Sequence, residues 1–308
     1  METHINSGSP VIRPLKSKKM VMGKTAASIL FYAVSIVIAV AMILPFFWSL
    51  MTSLKPSDEI FSLPIKWFPS HLTFEHYQKA FTTVPFGLYF WNSLVLSVAG
   101  VLANLFFGSL AGYAFAKLTF RGSKPMFRLL LAAMMIPGIV TMIPSFYVLR
   151  HFPLLGGNDL FGTGGQGLLN SFWGIILPGA SGTFAVFFMR QFFLTLPTDM
   201  MEVARIEGCG EFRIFWNIYL PLTKPALATL SIFTFQAGWN SFLWPMIVLN
   251  DPSKATIQMG LQAFSYNNQT DYGPMMAGAL IAILPILILF LLLQKYFVQG
   301  IAFSGIKG

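Results

Sequence analysis

Six apolar runs alternate with polar connections along the chain, each of about the twenty residues that a hydrocarbon core of roughly 30 Å requires. They are Ala26–Met51, Trp91–Ala116, Leu129–Leu149, Ser171–Met189, Ala226–Leu249 and Met275–Leu293, and the five after the first are free of Asp, Glu, Lys, Arg and His. The pattern predicts an all-α integral membrane protein with six transmembrane helices and both ends on one side. A membrane domain over 26–308 then follows a basic tail over 1–25. The first run is too long for a signal-peptide core and ends in no small-residue cleavage site, so it reads as a retained span. One connection, Thr195–Leu227, is different because it is long and mixes polar with apolar positions. Pro197 sets the chain entry, and Asp199 with Glu202 predicts a capping box opening a helix to Ile206. Gly208 and Gly210 break that helix. Phe212, Phe215, Trp216 and Tyr219 then recur at the spacing of one helical face, and Pro221 and Pro225 close the second helix. The expected product is a helix–bend–helix elbow with an aromatic face and with Arg205, Glu207, Glu211 and Arg213 around the bend.

Charge orients this arrangement. Only 10% of the 308 residues are charged, against roughly 25% in a soluble domain. The net charge of +9 therefore needs no nucleic-acid partner, since an excess of Lys and Arg on the cytoplasmic side explains its sign. Fifteen of the 20 basic residues fall in the N-terminal tail, the 117–128 link, the elbow segment and the C-terminal tail, and five fall in the opposite loops. The elbow and both termini are thus expected on the cytoplasmic side of the membrane. The single cysteine, Cys209, excludes an intrachain disulfide and reads as a small residue at the bend.

The loops and spans contain several candidate sites. His71 and His76 lie five apart in the first outer loop, but without a third ligand nearby they read as solvated loop histidines. A helix is expected near Phe74–Phe81. The glycines from Gly156 to Gly167 resemble a phosphate cradle only superficially, lacking a preceding strand and a following Lys-Ser/Thr, and read as a flexible outer loop. With no P-loop in the chain, no cofactor is expected on it. Pro45, Pro137, Pro144, Pro178, Pro245 and Pro285 predict distorted helices around a cavity. The uncharged spans argue against an ion-coupled secondary transporter, which commonly carries an ionisable group at membrane depth. They equally lack the nucleophile, acid–base or metal cluster of a membrane enzyme. Their polar groups are neutral, and Gln236, Trp239 and Asn240 set amides beside a ring. This combination suits a sugar, whose C–H faces stack while its hydroxyls need donors and acceptors.

Glu202-Val203-Ala204, three residues, Gly208, nine residues, Ile218 and Leu220-Pro221 resemble the EAA loop of ABC importer permeases, with Val203 in place of the second-position alanine. Trp239-Asn240-Ser241-Phe242-Leu243-Trp244-Pro245 resembles the W-N-E-F-L-W-P segment of carbohydrate permeases, with Ser241 replacing the Glu. The ending from Gln294 to Gly308 resembles that of maltose-type permease subunits. The resemblance covers roughly residues 26 to 308 and is to carbohydrate ABC importer permeases of the maltose G type. It implies the type I ABC importer permease fold and a coupling helix formed around Glu202, Ala204, Arg205, Gly208, Phe212, Ile218 and Pro221. It also implies a second homologous permease, two ATP-binding subunits and an extracytoplasmic sugar-binding protein.

Overall fold

The computed structural model describes residues 18–266 and 269–304. The basic tail before Lys18 and the ending Gly305–Gly308 lie outside them, as do two residues of a hairpin tip. The fold is helical apart from that hairpin, in which Ser265 pairs with Thr270. Helix α1 covers Lys18–Leu54 and α2 Glu75–Thr83, close to the loop helix expected near Phe74–Phe81. Then come α3 (Phe86–Lys117), α4 (Ser123–Met134), α5 (Gly138–Arg150), α6 (Phe172–Gly179), α7 (Thr183–Thr195) and α8 (Asp199–Ile206). The chain continues through α9 (Glu211–Leu222), α10 (Lys224–Trp239), α11 (Leu243–Val248), α12 (Ile257–Gln262) and α13 (Tyr272–Ser304).

Among the described residues, four stretches are long and apolar enough to cross a membrane unaided, and six if two sharply bent pairs each count as one. Several expected boundaries shift. The second span begins at Phe86 rather than Trp91. The fourth runs on to Thr195, so that Arg190 lies within its helix. The fifth ends its regular helix at Trp239, ten residues early.

The prolines have unequal effects. Pro137 is extended and lies between α4 and α5, which meet at 107°; the proline also disfavours a helical conformation at Ile136 before it. Pro45, Pro144 and Pro285 instead lie inside continuous helices. Pro178 precedes the gap between α6 and α7.

Packing centres on α3, which lies against α7 and α10, with α10 in turn against α13. Gly108 and Gly112, one turn apart, let α3 approach α7 closely. A Cβ on the first would stand 2.7 Å from the Ala185 Cβ, and one on the second 2.8 Å from the Met189 Cβ. Such small-residue contacts suit a bilayer, where helix association depends on close van der Waals packing. Asn104 begins a wide π-helical turn over Asn104–Gly108. Its amide donates to Gly100 O at 3.0 Å and Gly179 O at 2.7 Å, and its Oδ1 accepts from Gly182 N at 3.1 Å. One side chain thereby satisfies backbone groups freed by the α6–α7 break, as a broken helix at membrane depth requires.

The loop end is more ordered than expected. His76 is buried, not solvated, and its Nε2 lies 2.8 Å from Lys55 O. Among the described residues no three His, Cys, Asp or Glu side chains are grouped for a metal. Glu59 accepts from Lys66 Nζ at 2.6 Å and Ser70 N at 3.0 Å. The Lys66 hydrogen bond, aided by Ser70, holds its carboxyl down at about 2, so this tie weakens only as pH falls that far. The glycine-rich loop is a built turn rather than a flexible one. Asn158 links Arg150 O and Phe152 O to Gly165 N, and Asp159 accepts from Phe161 N, Thr163 N and Thr163 Oγ1. Gly165 cannot take a side chain, since its Cβ would meet Gly156 O at 2.2 Å.

Candidate functional site

The elbow forms where expected, but not by the expected cap. Asp199 is the first residue of α8, with Thr198 as N-cap, and no side-chain cap bond is made. A carboxylate one position inside the helix can favour the N-terminal dipole, but it cannot act as the cap. The other end of α8 is built on Gly208. Cys209 N donates to Ala204 O at 2.9 Å and Gly208 N to Arg205 O at 3.0 Å, the paired bonds of a Schellman motif. Gly208 has φ +80°, and an added Cβ there would meet nothing within 4 Å. The glycine is therefore required by its backbone conformation, and the space beyond it is open.

The predicted aromatic face divides in two. Phe215 and Tyr219 are buried, with Tyr113, Phe193, Met201 and Ala204 in the same core. Phe212 and Trp216 stack on each other at 6.1 Å and stand exposed. The regular helix ends at Ile214 and a π-helical turn spans Phe215–Tyr219, which widens the angle between these positions. Glu202 is exposed, Ile218 packs against the core, and Pro221 is exposed before the 81° turn into α10. Arg205 Nε donates to Glu211 Oε1 at 2.7 Å across the bend, and this carboxylate raises the guanidinium pKa further. Met200, Val203, Ile206, Phe212 and Trp216 leave an exposed apolar face on the elbow.

Sequence reasoning missed what holds the elbow to the spans. The Tyr113 hydroxyl donates to Glu211 Oε2 at 3.3 Å. Lys117, counted above as a loop charge, is buried and donates to Leu196 O at 2.6 Å, with its ammonium 5.3 Å from the Tyr219 ring centroid. The Tyr219 hydroxyl donates to Pro197 O at 2.7 Å. Arg190 Nε donates to Phe115 O at 3.2 Å, and its guanidinium covers the Phe127 ring. These bonds tie the entry to the elbow and the start of α9 to the ends of α3 and α7. The one earlier signal was the i, i+4 spacing of Tyr113 and Lys117.

Of the three residues expected to share a solute pathway, Gln236 and Asn240 lie one turn apart and exposed, whereas Trp239 is turned into the core. Trp239 is fully buried, donates Nε1 to Ala282 O at 2.8 Å and stacks on Phe235 at 5.5 Å. It is an anchor between α10 and α13. Trp239→Ala is accordingly expected to cost about 3–5 kcal/mol and to lower the unfolding temperature of the detergent-solubilised protein. Altered solute selectivity at unchanged stability would contradict this. Gln236 is exposed toward a groove of about 720 Å3 with otherwise apolar walls between α1, α10 and α13, including Phe47 and Phe290. Asn240, exposed at the end of α10, accepts from Gln258 Nε2 at 3.4 Å. On another side of α10, a second cleft of about 300 Å3 lies between α3, the α6–α7 break and α10.

Residues 104–303, which include the elbow, match the family described as the binding-protein-dependent transport system inner membrane component. The arabinooligosaccharides transport system permease protein AraQ of Bacillus subtilis is 38% identical over 268 residues, covering 86% of this chain and 90% of its own. The diacetylchitobiose uptake system permease protein NgcG of Streptomyces coelicolor is 31% identical, covering 86% of this chain and 84% of its own. The sn-glycerol-3-phosphate transport system permease protein UgpE of Yersinia pestis is 30% identical, over 89% of this chain and 96% of its own. In fold, the chain resembles one from a bacterial ABC transporter involved in the import of the acidic polysaccharide alginate. The TM-score is 0.73 at 23% identity, covering 92% of this chain and 100% of that one. By the family match and by relatives similar along most of its length, the chain belongs to the inner membrane components of binding-protein-dependent transport systems.

Proposed function

We propose that the chain is the permease subunit of an ATP-driven importer of a neutral carbohydrate, with α8 and the start of α9 as the handle moved by an ATPase partner. The observation that carries the coupling role is the elbow itself. It combines an exposed apolar face, an open glycine turn and side-chain ties into α3 and α7. Closure of two ATP-binding subunits, which hold the nucleotide and Mg, would tilt the elbow and move the spans between inward- and outward-facing arrangements. A second homologous permease completes the membrane pore, and an extracytoplasmic binding protein delivers the solute. Relatives named for arabinooligosaccharides and diacetylchitobiose support a carbohydrate. Among the described residues, no cationic side chain lines either the Gln236 groove or the second cleft, which disfavours a phosphorylated solute such as the one in the third relative's name. Gln236 and Asn240, both exposed, remain pathway candidates, whereas Trp239 is needed for packing.

The test is uptake of labelled arabinotriose, diacetylchitobiose and maltotriose by cells carrying the complete importer. Uptake of at least one, lost when the ATPase subunit is inactivated, is the expected result; uptake that persists without it would refute the reading. In the same cells Phe161→Cys in a Cys209→Ser background should react with an impermeant thiol reagent from outside, since Phe161 is 85% exposed. Labelling only after permeabilisation would reverse the orientation, which places the elbow and both termini in the cytoplasm.

A further inference from the structure

The second cleft has what a sugar ring needs and one polar group that the protein leaves unused. It is lined by Ser97 and Asn104 of α3, by Gly182 and Phe184 beside the α6–α7 break, and by Phe233 and Thr234 of α10. Asn104 has both its amide N and O committed to backbone groups. Ser97 does not. It is only 1% exposed, yet its hydroxyl has no hydrogen-bond partner. Serines and threonines in membrane helices usually return the hydroxyl to a carbonyl of the preceding turn. Ser35, Ser49, Thr229 and Ser231 do so here, each bonding the carbonyl four residues back. The other buried polar atoms without partners among the described residues belong to Thr52, His76 and Thr256, none of which lines this cleft.

The walls around Ser97 fit the same occupant. Gly238 faces it across the cleft wall, where an added Cβ would stand 3.4 Å from Ser97 Oγ, at ordinary contact distance. Phe184 and Phe233 are 43% and 47% exposed and meet edge to face at 6.0 Å, offering ring faces to sugar C–H groups. Among the described residues, no charged side chain lines the cleft. Its volume of about 300 Å3 is at the small end of ligand pockets, roughly 300–1,000 Å3, which suits one ring of a longer chain. We propose that this cleft is a solute-binding subsite of the chain, with the Ser97 hydroxyl hydrogen-bonding one sugar hydroxyl and Phe184 and Phe233 stacking on the ring. The proposal rests on the carbohydrate reading above and locates a binding contact on this subunit, on a different side of α10 from Gln236.

Ser97→Ala removes only an unpaired hydroxyl, so it leaves no new unsatisfied group and should not unfold the chain. The experiment measures uptake of labelled arabinotriose, diacetylchitobiose and maltotriose by the complete importer, with assembly checked by co-purification of its subunits. For whichever sugar the unmodified importer carries, Ser97→Ala should raise the half-saturation concentration about tenfold, and Gly238→Val should raise it further by filling the space. Unchanged half-saturation in both Ser97→Ala and Gly238→Val overturns the subsite while leaving the importer reading intact. If the unmodified importer carries none of the three sugars, the carbohydrate reading fails and the subsite with it.

Discussion

Leucine in place of Gly208 is expected to abolish solute uptake while leaving membrane insertion intact. Two physical effects act there and can be separated. The left-handed backbone at φ +80° penalises any Cβ by about 1–2 kcal/mol, a strain that Gly208→Ala imposes as well. Bulk is different, because the nearest 4 Å around an added Cβ are empty within this chain. A leucine would therefore disturb little inside the fold and would project from the elbow surface into the space assigned to the ATPase partner. Gly208→Ala should retain a measurable part of the uptake and Gly208→Leu essentially none, with ATP hydrolysis no longer linked to transport. Normal uptake by the leucine variant would count decisively against docking at this turn. Equal losses in both variants would assign the effect to backbone strain.

The second large effect is expected at Asn104, which is buried within the bundle. Asn104→Ala strands Gly179 O and Gly182 N at a helix break inside the membrane domain, at about 1–3 kcal/mol apiece. Against the small net stability of a folded chain, that loss should depress both the unfolding midpoint in detergent and the amount of protein recovered from membranes. Ser109→Ala is the matched control five residues on. Its hydroxyl serves only the Leu105 and Phe106 carbonyls of its own helix, and its removal should cost only about 1 kcal/mol. A smaller loss in Asn104→Ala than in Ser109→Ala would show that the break is held by something else.

These two positions also mark what could and could not be read from the chain. The Gly208 turn was legible because a helix stop that needs a positive φ leaves a glycine at a fixed distance from the preceding helix, here after Glu202-Val203-Ala204. The six apolar runs were legible because lipid selects length and composition residue by residue. Asn104 was not, since an amide that bridges a helix break looks the same in sequence as one that lines a pore. Trp239 was misread for a related reason. Its ring beside Gln236 and Asn240 resembled a sugar platform until the Ala282 carbonyl was found at its N–H. Lys117 had the right location but the wrong environment, because counting it as a charge near the membrane surface says nothing about the Leu196 carbonyl that receives it. His76 and the glycine-rich loop erred alike, in that loop composition does not reveal burial or close backbone approach. Local spacing carries helix ends and spans, whereas which groups meet across the bundle is decided by tertiary packing.

The exposed face of the elbow has a practical consequence for handling the protein. Met200, Val203, Ile206, Phe212 and Trp216 are all more than two-fifths exposed, and this face lies on a connection rather than in a span that detergent would cover. Micelles that replace the lipid around the spans leave these side chains facing buffer, where contiguous apolar surface drives association. A preparation of this chain alone is therefore prone to sticking together at the elbow, and co-expression with whatever covers it should give the monodisperse sample that a change of detergent would not.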